Sequence, residues 1–141
     1  MEPAASLPVA ESAQRAKRGQ RILFADDDKD IADTLAELLE LAGFEVEVAY
    51  DGRSAVAAAF ATAPEIIICD LGMRGEVDGY AVARACRGKA GLSGTRLIAF
   101  SGYVTAEAHA KAREAGFDRL LPKPVQFETL QAVLHEMTAV V

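Results

Sequence analysis

The sequence predicts an α/β fold: a five-stranded parallel sheet, doubly wound with helices on both faces, with strand order 2-1-3-4-5. Three observations lead there. Short apolar runs alternate with longer segments whose apolar residues recur at helical spacing. Five such strand–helix pairs follow one another without any repeat in sequence, and right-handed crossovers leave few ways to wind them. At 141 residues the chain has room for one ordinary core, not two, so a single domain over residues 20–141 is expected behind an N-terminal arm.

Residues 1–19 mix Ala, Ser, Pro and charges without strand alternation and end in the basic cluster Arg15, Lys17 and Arg18; they are expected to form a flexible arm. From Arg21 the run Ile22-Leu23-Phe24-Ala25 is too short for a helix and stops at three acids, as a buried strand would. Ile31, Leu35, Leu38, Leu39 and Ala42 then repeat at helical spacing, and Gly43 supplies the stop. A second strand is expected at 45–49 and a second helix at 52–61, breaking before Pro64. Ile66-Ile67-Ile68-Cys69 is the most apolar strand and ends at Asp70. After the Gly-rich stretch 72–75 come a third helix at 79–87, the Gly-Ser segment 88–94, a fourth strand at 96–100 and a fourth helix at 106–115. A short fifth strand at 119–121 follows. Phe127, Leu130, Leu134 and Met137 place a last helix at 126–138.

Composition narrows the function. Hydrophobic residues at 51% against 26% charged fit a soluble globular protein. A net charge of -6 opposes general attraction to nucleic acid or anionic lipid. Cys69 and Cys86 have neither CxxC nor metal-ligand spacing, so they read as packing residues in a reducing compartment. With no apolar run long enough to span a bilayer and no signal-peptide pattern after Met1-Glu2-Pro3, the expected location is the cytoplasm.

In an open parallel sheet, ligands bind at the carboxyl ends of the strands, near the point where strand order reverses. The residues closing the strands are Asp26, Asp27 and Asp28 after the first, Asp70 after the third, Ser101 after the fourth and Lys123 after the fifth. Asp26, Asp27 and Asp70 against Lys123 leave a charge of -2, which one divalent cation would balance. Carboxylate oxygens without a His or Cys pair nearby favour Mg²⁺. Carboxylates, a hard cation, a hydroxyl and an ammonium group are the parts of phosphoryl transfer, with a carboxylate as the nucleophile. Lys123 and Ser101 would hold phosphoryl oxygens, and Gly102 would leave room for the group.

The segments Ile22-Leu23-Phe24-Ala25-Asp26-Asp27-Asp28, Cys69-Asp70-Leu71-Gly72, Phe100-Ser101-Gly102 and Leu121-Pro122-Lys123-Pro124 together resemble the receiver domain of two-component response regulators, over residues 21–138. The resemblance implies a flavodoxin-like fold. It also implies that Asp70 accepts a phosphoryl group from a histidine kinase or a His-containing phosphotransfer protein. Asp27, Asp70 and the Gly72 carbonyl would bind Mg²⁺ directly, and Asp26 through water. It further implies a cis Lys123-Pro124 bond and an output surface formed by helix 4, strand 5 and helix 5 that meets a protein target or a second copy, in a monomer or weak homodimer. Because the chain ends soon after the last helix, no output domain is expected to follow.

The chain also departs from the family pattern. Leu120 stands where an aromatic residue is common, and Arg74 where a proline is common, in a loop one residue longer before Asp78-Gly79. Gly72, two residues after Asp70, offers no side chain to orient an attacking water. Tyr103, two after Ser101, is expected to cover that approach, so self-dephosphorylation is expected to be slow.

Each residue also has a plainer role to weigh. The three consecutive acids could simply be a solvated loop that caps the first helix near Asp28 or Asp30, Asp70 and Ser101 could be turn residues, Lys123 a surface lysine and Tyr103 a packing residue. His109 and His135 lie singly on helices and read as solvated. Two other functions compete with the switch: a Mg²⁺-dependent phosphatase or phosphotransferase, which commonly has an acid where Gly72 stands, and a scaffold that is no longer phosphorylated.

Overall fold

The computed structural model describes residues 20–138, so the expected arm at 1–19 lies outside the described residues. Five strands, β1 (Arg21–Ala25), β2 (Glu45–Ala49), β3 (Ile66–Asp70), β4 (Arg96–Ser101) and β5 (Arg119–Pro122), form one sheet. Its order is β2-β1-β3-β4-β5, and every pairing is parallel. The helices are α1 (Lys29–Leu41), α2 (Gly52–Thr62), α3 (Gly79–Arg87), α4 (Ala106–Ala115) and α5 (Phe127–Thr138).

Alternation along each strand divides the core into two layers. Leu23, Ala25, Ile67, Cys69, Leu97 and Ala99 face α2, α3 and α4 and pack on Ala55, Ala59, Val82 and Ala112. Ile22, Phe24, Ile66, Ile68, Ile98 and Phe100 face α1 and α5 and meet Leu35, Leu39, Leu130 and Leu134. The Phe24 and Phe100 rings pack edge to face, 5.7 Å between centroids. Every residue of β3 is buried, because the strand is paired on both sides and covered on both faces.

Short polar side chains start four of the helices by accepting an otherwise unpaired backbone N–H. Asp28 accepts from Ile31, Asp51 from Ser54, Asp78 from Ala81 and Thr105 from Ala108. The plain capping role therefore falls to Asp28 and leaves Asp26 and Asp27 for the rim. α1 is followed by Gly43 at φ 105°, while α2 ends on Ala63 in the left-handed region.

Away from the rim, Arg87 ties the end of α3 to the turn after α4. Its guanidinium donates to the carbonyls of Gly116 at 3.0 Å and Thr95 at 2.7 Å, and to Asp118 Oδ2 at 3.0 Å. No helix among the described residues is long and apolar enough to cross a membrane.

Candidate functional site

The parallel register brings the strand ends to one edge of the sheet. Ala25 pairs with Cys69, Asp70 with Phe100 and Ser101 with Pro122, so Asp26, Asp70, Ser101 and Lys123 leave their strands side by side. Asp26 is fully buried, Asp70 and Ser101 are nearly so, and Asp27 is partly exposed. Carboxylate oxygens of Asp26, Asp27 and Asp70 all lie within 4.8 Å of one another. Lys123 Nζ stands 2.8 Å from Asp70 Oδ1, which also accepts the Gly72 N–H at 2.8 Å.

Burying several acids together is costly unless they are compensated. Asp26 Oδ1 accepts the Asp28 N–H at 2.9 Å, but Asp26 Oδ2 is buried with no hydrogen-bond partner. Burial pushes the Asp26 carboxyl up to about 6, with the neighbouring charge of Asp70 adding to the rise and the Asp28 N–H and Lys123 opposing it. Partial burial pulls the Lys123 ammonium down, but its hydrogen bond to Asp70 and the charges of Asp70, Asp26 and Asp27 outweigh that and leave it raised. An orphaned buried carboxylate oxygen beside two further carboxylates suits a hard cation bound through oxygen. The donor set fits Mg²⁺.

The loops around this edge are shaped by close approaches. A Cβ on Gly79 would lie 2.7 Å from the Asp70 carbonyl oxygen, so only glycine lets α3 start this close to the end of β3. A Cβ on Gly72 would lie 3.4 Å from Asp70 Oδ1, so position 72 faces the carboxylate, as expected. Ser101 Oγ accepts the Tyr103 N–H at 3.0 Å, and the Lys123 N–H donates to the Ser101 carbonyl at 2.9 Å. The Lys123-Pro124 peptide is cis, as the resemblance implies. The Tyr103 side chain is 78% exposed and does not cover Asp70 here. His109 and His135 are exposed, and Cys69 and Cys86 are buried, their thiols pushed up by burial.

Sequence reasoning missed two features that shape the site. The Arg74 N–H donates to Asp27 Oδ2 at 3.1 Å, a backbone bond with no signature in side-chain identity. Gly52 is pressed against the loop after β3, where a Cβ would fall 1.8 Å from the Val77 carbonyl oxygen. Beside the rim, Ile31, Leu35, Phe100, Pro124 and Val125 line an apolar cavity of about 550 Å³.

Fold and rim together define a class: a doubly wound α/β domain carrying a carboxylate cluster and a lysine at the carboxyl edge of its sheet. A family model described as "Response regulator receiver domain" matches residues 22–135, and the chain belongs to that family, the receiver domains of two-component response regulators. It is 35% identical over 112 residues to the transcriptional regulatory protein PrrA of Mycobacterium leprae, covering 79% of this chain and 47% of that protein. It is 31% identical over 112 residues to the DNA-binding dual master transcriptional regulator RpaA of Synechocystis, covering 79% and 46%. The chain thus spans about half the length of these curated relatives. Among solved structures it is similar to the chemotaxis response regulator CheY4 of Vibrio cholerae, with 29% identity and a TM-score of 0.79 over 84% of this chain and 98% of that one. Receiver domains of this family act in signalling rather than as metabolic catalysts.

Proposed function

We propose that Asp70 is the phosphoryl acceptor of this receiver, in a domain spanning residues 20–141, with Asp26, Asp27, Asp70 and the Gly72 carbonyl as the surroundings of a Mg²⁺ ion. The observation that carries the reading is the pairing of a buried Asp70 carboxylate with Lys123 Nζ at 2.8 Å, within 4.8 Å of two further carboxylates, one bearing an orphaned oxygen. A lone structural acid would need none of these neighbours.

In the proposed step an oxygen of Asp70 forms a bond to phosphorus as the bond from phosphorus to the donor's imidazole nitrogen breaks, and that nitrogen keeps the electron pair. Mg²⁺, when bound, neutralises charge on the carboxylates and the phosphoryl oxygens. On this reading Lys123, now paired with Asp70, would hold one phosphoryl oxygen, and the Ser101 hydroxyl would hold another once it turns from its bond with the Tyr103 N–H. That rearrangement would pull the 102–105 loop toward Asp70 and alter the surface formed by α4, β5 and α5.

The donor on this reading is a sensor histidine kinase or a His-containing phosphotransfer protein in the cytoplasm, and the output is contact with a protein target, by a monomer or a weak homodimer. The net charge of -6 supports a protein target over nucleic acid. The DNA binding in RpaA's name belongs to that protein, less than half of which is matched here.

Incubation with Mg²⁺ and a small phosphodonor, followed by intact mass, tests the acceptor. A single phosphoryl adduct is expected on the wild type and none on Asp70→Asn. Equal adducts on both would move the acceptor elsewhere, and no adduct on the wild type would favour the unphosphorylated scaffold. Multiple turnover of a phosphate ester would favour the enzyme.

A further inference from the structure

Asp27 is the carboxylate of the cluster that packing holds least. Asp26 is enclosed by the sheet and Asp70 is gripped by Lys123 and the Gly72 N–H, but the Asp27 side chain is 30% exposed. Among the described residues its hydrogen-bond donor is the backbone N–H of Arg74, 3.1 Å from Oδ2. The Arg74 side chain contributes little: Nε is 3.9 Å from the same oxygen and the side chain is 95% exposed, where solvent screens its charge.

The N–H is itself held in place. Met73 is buried beside it. The Val77 backbone is pressed against Gly52 at the start of α2, whereas the Glu76–Arg53 pair lies mostly in solvent and adds little. Asp78 then caps α3. The loop from 71 to 78 is a strap fastened at both ends, with one amide aimed at Asp27.

We propose that in this chain the backbone amide of Arg74, a donor that the proline common at this position in the family lacks, sets the Asp27 carboxylate for cation binding and makes Arg74 a positioning residue. A carboxylate has lone pairs enough to accept an N–H on one oxygen and offer the rest to a cation. Partners that orient ligands in this way typically change metal affinity ten- to a hundredfold. The inference rests on the Mg²⁺ site proposed above and adds the group that aims it.

The test separates backbone from side chain. Arg74→Ala keeps the N–H and removes the charge, whereas Arg74→Pro removes both, since proline has no N–H. Calorimetric titration of the full chain with Mg²⁺ alone should give the alanine variant an affinity within about twofold of wild type and the proline variant one weaker by about tenfold. Melting without metal checks that both are folded. In the wild type, the Arg74 amide proton should shift on Mg²⁺ addition and remain protected from hydrogen exchange, a readout that survives even if the proline variant does not fold.

Wild-type affinity in Arg74→Pro, equal weakening in both variants, or an unprotected Arg74 amide in the Mg²⁺ form would each overturn the inference while leaving the site intact. A wild type that binds no Mg²⁺ would overturn the site as well.

Discussion

Lys123 Nζ and Asp70 Oδ1 form an ion pair of 2.8 Å across the carboxyl edge of the sheet, with the acid almost wholly buried and the lysine about one-third exposed. The lysine is the one cation that meets the cluster from within the protein fold at hydrogen-bond distance among the described residues.

Replacing it by a chain of similar length without charge, Lys123→Met, leaves three carboxylates uncompensated. The exposure of the lysine moderates the loss, so the metal-free variant should be destabilised by roughly 1–2 kcal/mol, less than a fully buried pair would cost. Added Mg²⁺ should recover much of that, because it supplies the missing positive charge. Chemical denaturation with and without Mg²⁺ measures both effects. A variant as stable as wild type in EDTA would mean that the ion pair is not what holds the acids together.

Asp26 gives the site a pH dependence whose sign follows from its raised carboxyl. A group held near 6 in the fold, against 3.8 when free, favours the folded state in its protonated form. That contribution is complete below about pH 4 and is lost as pH rises through about 6, so near pH 7 the ionised Asp26 opposes folding in metal-free protein. Asp26→Asn should therefore raise metal-free stability near pH 7 by roughly 1–2 kcal/mol, with the gap closing toward pH 4. Melting curves across that range would refute this if the two proteins kept a constant difference.

Position 72 should govern how long a phosphoryl group survives on Asp70. A side chain there begins 3.4 Å from Asp70 Oδ1 and can reach a water attacking phosphorus, which glycine cannot. Gly72→Asn should shorten the phosphorylated lifetime several-fold, and adding Tyr103→Glu should shorten it further. Because the Tyr103 ring lies mostly in solvent, Tyr103→Glu alone should have the smaller effect. Loss of phosphate followed by phosphate release reads the lifetimes. Unchanged decay in the double variant would remove both positions from the account.

Much of this was legible in the sequence, because the same residues that close the strands also break the apolar periodicity. Ile66-Ile67-Ile68-Cys69 announces a strand and Asp70 its end, and the register then fixes the neighbours. Boundaries moved by one residue at a few ends: β4 runs on to Ser101, β5 to Pro122 and α2 to Thr62, while α5 begins at Phe127. Sequence narrowed the cap of α1 to Asp28 or Asp30 but not further, since capping depends on where the chain turns; it is Asp28. The Arg74 amide and the Gly52 approach were invisible because at both positions the contact is made by backbone. Tyr103 was expected over the acceptor because sequence distance from Ser101 gives proximity but no direction.

The complete burial of β3 has a mechanical meaning. A strand bonded to neighbours on both edges and covered on both faces opens only when the whole domain unfolds, whereas the 102–105 loop is exposed along its length. Asp70 therefore ends the most enclosed strand among the described residues, while the loop beside it is open to solvent. An event at a fixed anchor is felt as displacement elsewhere, because the anchor does not yield to absorb it.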